Sequence, residues 1–324
     1  MAEQGKSAEA GRIEGGRLDD AARAGWLYYV AGNTQDEIAK KLGVSRQSAQ
    51  RLVSLAVSER LIKVRLDHPI ARCMELRQRL IDRFGLGICD VVPSDPGAPG
   101  LMAGIAGAGA SEMERHLKSE APRIISLGTG RALRACVEQL RPMACPQHRI
   151  VSMLGNMMSD GSATPYNVVI RLAERVQARH YPMPLPVFAR SAEELAILHA
   201  QEPVRNTLRL CEEADIAFVG IGNVSGAAPL LEDGFVTRDE LRALEAQGVA
   251  GEITSWLFDR EGQVLQGGLN ARVLSHPLRA DPPRPVVGIA GGPAKVTAAQ
   301  AALRGRLING LITDEATAEM ILAG

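Results

Sequence analysis

Three glycine loops hold the residues best suited to ligand chemistry. Gly128-Thr129-Gly130 runs into Arg131, Gly220-Ile221-Gly222 runs into Asn223, and Gly291-Gly292 precedes Lys295. Each loop follows a β-branched run and opens a helical pattern. Glycines let the backbone approach an anion, and the N-terminus of the following helix supplies unpaired N–H donors. Thr129 adds a hydroxyl, while Arg131 and Lys295 add charge. One such loop alone is often only packing geometry. Three at equivalent strand ends suit a small polyol or a phosphate. Asn156, after Gly155, can donate to and accept from a hydroxyl, although Asn is also a common turn residue. Glu252 and Asn270 either reach hydroxyls or satisfy nearby backbone.

A second group of polar residues has a different chemistry. Arg46, Gln47, Ser48, Gln50 and Arg51 form one face of a short helix without a carboxylate among them. Arg pairs with the acceptors of guanine and Gln with adenine in the major groove. Hydroxyls and helix N-termini suit phosphates. From Lys40 to Leu66 the bases are Lys40, Lys41, Arg46, Arg51, Arg60, Lys63 and Arg65, against the single acid Glu59. In a chain with 37 basic and 37 acidic residues, that local excess is an electrostatic footprint for DNA. Thr34 and Gln35, at the start of the preceding helix, join Ser45, Arg46, Gln47, Ser48, Gln50 and Arg51 as candidate contacts to double-stranded DNA.

The elements that must position this second group are legible. Thr34 and Glu37 form a capping box that opens a helix through Lys41, with Ile38, Ala39 and Leu42 on its inner face. Gly43 allows a left-handed turn, Val44 plugs the angle between the helices, and Ser45 caps a second helix. Ala49, Leu52, Val53 and Ala56 are its inward residues. A helix from Asp19 through Val30 supports the pair, with Trp26 as a core anchor. LIKVRL, from Leu61, alternates apolar and basic residues like a short wing strand. Residues 1–17 are small, polar and Gly-rich, which predicts a disordered tail. The helix-turn-helix domain then spans 18–67.

From 68 to 324 the chain alternates strand and helix patterns. RIISLG, RIVSMLGN, PMPLPVFA, DIAFVGIGNV, EITSWLFD, PVVGIAGG and RLINGLIT read as strands. TGRALRACVEQL, YNVVIRLAERVQARH, TRDELRALEAQ and AKVTAAQAALRG read as helices. Such alternation implies an α/β domain with a mainly parallel sheet, whose ligands bind beyond the carboxyl ends of the strands. The fold expected is thus an N-terminal all-α helix-turn-helix (winged) domain followed by an α/β effector domain.

Composition narrows the alternatives. Aromatics are 3 % of the 324 residues, too few for the stacking platforms of single-stranded nucleic acid binding. The five cysteines are scattered without a CxxC pair, so reduced thiols are expected and no metal site is assigned. No signal peptide and no membrane-length apolar run is present, which predicts a cytoplasmic protein. No GxSxG, P-loop or Cys/His pairing calls for a cofactor or a nucleophile. Glu252 and Lys295 are the types an aldose–ketose isomerase uses, so an active sugar-phosphate isomerase or deaminase carrying a DNA-binding domain stays as the alternative.

TQDEIAKKLGVSRQSAQRLV, ISLGTGRAL, VSMLGN, ADIAFVGIGNV, GEITSWLFD and VVGIAGGPAKVTAAQAALRGRLINGLITDEATA occur in that order. Together they resemble the SorC family of bacterial transcriptional regulators, grouped with DeoR-type sugar regulators. The resemblance covers nearly everything after the N-terminal tail. It implies an effector domain with the fold of sugar-phosphate isomerases and deaminases that has lost turnover. It further implies a sugar, sugar alcohol or sugar phosphate as effector, and assembly as a homotetramer, a dimer of dimers, on operators of catabolic operons. By position, Gly128, Thr129, Gly130 and Lys295 would surround the phosphate or polar end of the effector. Asn156, Gly222 and Glu252 would lie nearer the rest. The family commonly has Gly-Asp-Ile where this chain has Gly251-Glu252-Ile253.

Overall fold

The computed structural model describes residues 2–59, 61–62, 70–95, 97, 102–158, 161–226 and 228–324, with residues 2–15 as backbone only. It divides into two compact units, Met1–His68 and Pro69–Gly324. Among the described residues no helix is long and apolar enough to cross a membrane.

The first unit contains helices α1 (Ala2–Tyr29), α2 (Gln35–Leu42) and α3 (Arg46–Ser58). Thr34 closes its capping box on α2: the Glu37 N–H donates to Thr34 Oγ1 at 3.3 Å, and the Thr34 N–H donates to Glu37 Oε2 at 2.7 Å. Gly43 ends α2 at φ 66, and Ser45 Oγ accepts from the Ser48 N–H at 3.1 Å to start α3. Ile38, Ala39, Ala49, Val53 and Ala56 are buried where these helices meet. Three expectations are corrected here. The helix begins at Ala2 rather than Asp19, since Ala, Glu, Lys and Arg among residues 2–17 let helix propagate from the packed turns. Trp26 is 55 % exposed, and Val44 is 37 % exposed rather than plugging the turn. Their places are taken by small residues. Ala21 and Ala24 are fully buried, and a side chain at Gly25 would overlap Ile62 and Ala56. The helices therefore approach too closely for an indole between them. The expected wing falls largely on residues 63–66, outside the described residues.

The second unit is built on a seven-stranded parallel sheet. In chain order its opening half is α4 (Ala71–Phe84), β1 (Ile88–Val92), α5 (Met102–Leu117), β2 (Ile124–Leu127), α6 (Arg131–Gln139), β3 (Arg149–Met157), α7 (Val168–Val176) and β4 (Arg179–Pro186). There follow α8 (Ala192–His199), α9 (Glu202–Glu212), β5 (Ile216–Gly220), β6 (Gly222–Asn223), α10 (Pro229–Glu232), α11 (Arg238–Ala246), β7 (Val249–Ile253) and β8 (Trp256–Asp259). The chain closes with β9 (Val286–Ile289), a 3-10 turn (Pro293–Lys295), α12 (Val296–Arg304), β10 (Gly310–Asp314) and α13 (Glu315–Ala323). The sheet order is β1-β10-β9-β5-β2-β3-β4, and β6, β7 and β8 form a separate antiparallel sheet.

Alternate residues of each central strand feed opposite cores. Ala217 and Val219 face the cluster made with α4, α9, α12 and α13. Ile216 and Phe218 face the one made with α5, α6 and α7. Helices cover both faces, so β5 reads as an uninterrupted apolar run. The chain leaves β2 toward one face and β5 toward the other, so the β2–β5 boundary is where the strand order reverses. The crevice beyond the carboxyl ends at such a boundary is where open parallel sheets bind ligands.

EITSWLFD is not one strand, as its apolar pattern suggests. It is a hairpin in which Ile253 pairs with Trp256 across a two-residue turn, Thr254-Ser255. Both turn residues have positive φ, 49 and 72.

Candidate functional site

A cavity of about 370 Å³ opens at that boundary. Thr129 to Ala132 after β2, Leu154 and Gly155 on β3, Gly220 to Gly222 where β5 passes into β6, and Ile289 to Gly291 at the end of β9 line it. The small sheet adds Glu252, Thr254 and Ser255, and the 3-10 turn before α12 adds Lys295. The segment around α10 completes the wall with Pro229, Leu230, Asp233 and Phe235. The volume is within the range of roughly 300–1,000 Å³ usual for small-molecule sites.

The polar groups in this wall are held in place. Gly222 pairs directly across from Glu252 in the small sheet. A Cβ on Gly222 would overlap the Glu252 carboxylate, so only glycine leaves that carboxylate its position. Glu252 Oε2 accepts from the Ser255 N–H at 2.8 Å. Lys295 Nζ donates to Asn223 Oδ1 at 2.7 Å. Two bridges tie the α10 segment down: Arg131 Nη1 lies 3.0 Å from Glu232 Oε2, and Tyr166 donates its hydroxyl proton to Asp233 Oδ1 at 2.9 Å.

Burial dominates the titration of these groups. It raises Glu252 above the ordinary carboxylate value, while the Ser255 N–H and the Lys295 ammonium pull the other way. It raises Asp233 as well, opposed by the Tyr166 hydroxyl and Arg131. Lys295 is lowered, chiefly by burial and in part by Arg131, with Glu252 opposing. Burial and then Asp233 push Tyr166 up to about 12. The cavity wall therefore holds two acids, Glu252 and Asp233, and two bases, Arg131 and Lys295, of which all but the exposed Arg131 are partly stripped of water. A neutral ligand rich in hydroxyls, or one with a single anionic end, meets complementary donors and acceptors there.

Linkage gives Glu252 a testable sign. Its folded value lies above the ordinary 4.5, so the folded state holds the proton more tightly than the unfolded chain. That contribution to stability is full below 4.5 and is lost as pH rises through the folded value. Relative to wild type, Glu252→Gln is therefore expected to gain stability as pH is raised from 4.5 to neutrality, read as the difference in Tm across that range. A difference that shrinks with pH contradicts a raised Glu252.

The structure brings most of the sequence-derived ligand residues together. Thr129, Gly130, Arg131, Gly222, Glu252 and Lys295 all line the cavity. Gly128 and Asn156 do not: they line a smaller adjoining cavity of about 20 Å³, room for about one water. Gly128 is turned away because its N–H is committed to Phe218 O at 2.9 Å. Asn156 lies inside β3, which continues one residue further than the expected turn. Asn270 serves the backbone alone, its amide bonding Leu257 N, Leu257 O and Leu265 O at 2.8–2.9 Å. Trp256 donates its indole N–H to His276 O at 3.0 Å and is absent from the cavity wall. Sequence reasoning missed Tyr166, Asp233, Thr254 and Ser255. Only the last two left a trace, as two polar residues between apolar pairs.

In the first unit Arg46, Gln47, Gln50 and Arg51 are exposed on α3, and Ser48 is half-buried. Ser45 and Ser48 share a 2.9 Å hydrogen bond at the cap. On α2, Gln35 is half-buried behind an exposed Thr34. The face is not free of carboxylate influence: Asp36 of α2 lies 3.4 Å from Arg46. Arg51 has no ion pair among the described residues.

Comparison with known proteins matches this organisation. Residues 68–323 match the Sugar-bind family, a sugar-binding domain. The erythritol catabolism regulatory protein EryD of Brucella abortus (strain 2308) is 36% identical over 303 residues, which cover 93% of this chain and 96% of EryD. The transcriptional regulator LsrR of Enterobacter sp. (strain 638) is 31% identical over 325 residues, 98% of this chain and 97% of LsrR. The full-length sorbitol operon regulator SorC from Klebsiella pneumoniae, 24% identical, shares the fold with a TM-score of 0.68 over 94% of this chain and 99% of that one. The helical N-terminal unit and the α/β ligand domain define a ligand-responsive transcriptional regulator. The chain belongs to the SorC/DeoR family of sugar-binding transcriptional regulators. These relatives are regulators rather than enzymes, which sets the isomerase alternative aside.

Proposed function

We propose that this protein controls a carbohydrate or polyol catabolic operon, with α3 reading operator DNA and the cavity taking a sugar, sugar alcohol or sugar phosphate. The cavity carries this reading, because it gathers Thr129 and Arg131 from the start of α6, Glu252 from β7 and Lys295 from the turn before α12 at the strand-order reversal. The N-terminus of α6, with Thr129, Gly130, Arg131 and Lys295, receives the anionic or most polar end. Gly222 and Glu252 serve the hydroxyl-bearing remainder. Gly128 supports the loop from behind, and Asn156 is left to the neighbouring space. EryD, named for erythritol catabolism, makes small polyols the first ligands to try.

On DNA, Arg46, Gln47, Gln50 and Arg51 meet base edges, while Thr34, Gln35, Ser45 and Ser48 meet phosphates. A dimer sets two such helices about one turn of DNA apart, and a cytoplasmic dimer of dimers is the assembly proposed. The ligand acts by favouring one arrangement of these readers, which requires that it bind the two arrangements unequally.

A thermal-shift screen of sugars, polyols and their phosphates tests this reading, run on wild type and on Lys295→Ala. A ligand at one hundred times its Kd stabilises the folded form by about 2.7 kcal/mol. One clear stabiliser on wild type, with its shift lost in Lys295→Ala, is expected. A wild-type protein indifferent to the whole panel contradicts the assignment of the cavity.

A further inference from the structure

The turn between β7 and β8 has a conformation its residues do not favour. A two-residue hairpin with both φ positive suits Asn-Gly or Asp-Gly, because those residues enter the left-handed region cheaply. This chain places Thr254 there at φ 49 and Ser255 at φ 72. A β-branched residue at positive φ is a true outlier, and such outliers gather at ligand sites where the surroundings hold them.

The surroundings do hold this one. Ser275 Oγ donates to Thr254 O at 2.6 Å, and the Thr254 methyl packs on Gly128. Thr254 is 6 % exposed and Ser255 5 % exposed, and both line the cavity. Thr254 Oγ1 is buried with no hydrogen-bond partner. The Ser255 hydroxyl also has none among the described residues. The one polar contact the turn makes toward the site is the Ser255 N–H to Glu252 Oε2. That bond leaves Glu252 Oε1 unpaired among the described residues, lying over Gly222 beside the Lys295–Asn223 pair.

We infer that the Thr254-Ser255 turn is the hydroxyl-reading wall of the cavity, with Ser255 Oγ and Glu252 Oε1 together recognising two adjacent hydroxyls of the ligand. This rests on the sugar or polyol reading of the cavity and specifies which end of the ligand meets which wall. Each ligand hydroxyl offers one proton and two lone pairs. One hydroxyl donates to Glu252 Oε1, while its neighbour exchanges a hydrogen bond with Ser255 Oγ. An anionic end is turned away from this wall by Glu252 and Asp233, and goes to Arg131 and the N-terminus of α6. Strain in the turn then has a role: it sets Glu252 and Ser255 before the ligand arrives.

The test uses the whole chain and has an arm that needs no ligand. The double variant Thr254→Asn, Ser255→Gly puts the favoured residues in the turn and is expected to raise the ligand-free Tm by about 2–4 °C. A lower or unchanged Tm overturns the inference. In the second arm erythritol, erythritol 4-phosphate, ribitol and D-ribose 5-phosphate are titrated calorimetrically into wild type and Ser255→Ala. The compound that binds wild type is expected to bind Ser255→Ala at least ten-fold more weakly. The analogue of that compound lacking one hydroxyl of the diol (butane-1,2,4-triol in the case of erythritol) is expected to lose the same factor on wild type but little further on the variant. Equal binding by wild type and Ser255→Ala overturns this inference alone. No binding of any of the four to wild type overturns the cavity reading, and the inference with it. Should Ser255→Ala fold poorly, Ser255→Gly, which positive φ favours, gives the same comparison.

Discussion

Arg51→Ala is expected to weaken operator binding by about ten- to a hundred-fold, that is about 1–3 kcal/mol, and to leave ligand-induced stabilisation unchanged. Arg51 is exposed on α3 and carries no ion pair among the described residues, so its guanidinium is free to meet a base edge. Arg46 is a weaker choice for the same test. Its attraction to Asp36 must be given up on binding, so part of its loss would reflect that exchange. Fluorescence anisotropy at fixed salt, on an operator fragment selected with the wild-type protein, measures the effect. A base contact relaxes specificity at one position of the site, whereas a phosphate contact weakens all sequences alike and lowers the salt slope by about one. Unchanged affinity would remove α3 as the reading helix.

Gly155→Ala has the largest expected effect on stability. A Cβ at Gly155 would overlap the Leu185 and Pro186 carbonyl oxygens, and backbone cannot step aside as a flexible side chain can. The β3–β4 register shifts on either side of this residue, and carbonyls of β4 stand where the methyl would have to fit. Overpacking of this kind costs about 3 kcal/mol or more, a fall in Tm of about 6–12 °C for a domain of this size. Gly155 also lines the cavity, so a variant that still folds should lose its ligand response. Thermal melts with and without ligand separate the two effects. A Tm within 2 °C of wild type would show that the strands can part at little cost.

The features readable from sequence were those written in local rules. The capping box at Thr34 and Glu37 and the left-handed Gly43 needed only short-range chemistry, and both are present. Strand–helix alternation implied a parallel sheet, and the glycine loops marked its carboxyl edge, which brought Thr129, Arg131 and Lys295 to one cavity. What escaped depends on distant contacts. Trp26 sits at helical spacing with apolar neighbours, yet Ala24 and Gly25 bring the helices too close to admit it. Tyr166 joins the wall beside Asp233, its hydrogen-bond partner 67 residues away. The hairpin at Thr254-Ser255 lacked the Gly, Asn or Asp that announces a turn, so an eight-residue apolar pattern read as one strand.

Strand β4 ends the sheet with an edge that no strand pairs among the described residues, and prolines occupy alternate positions 182, 184 and 186 along it. A proline nitrogen has no hydrogen to give. A neighbouring chain that tried to extend the sheet past β4 would therefore find acceptors without their matching donors, and the ladder could not propagate. At the concentrations a crowded cell imposes, this boundary closes one route by which a long parallel sheet seeds fibrils.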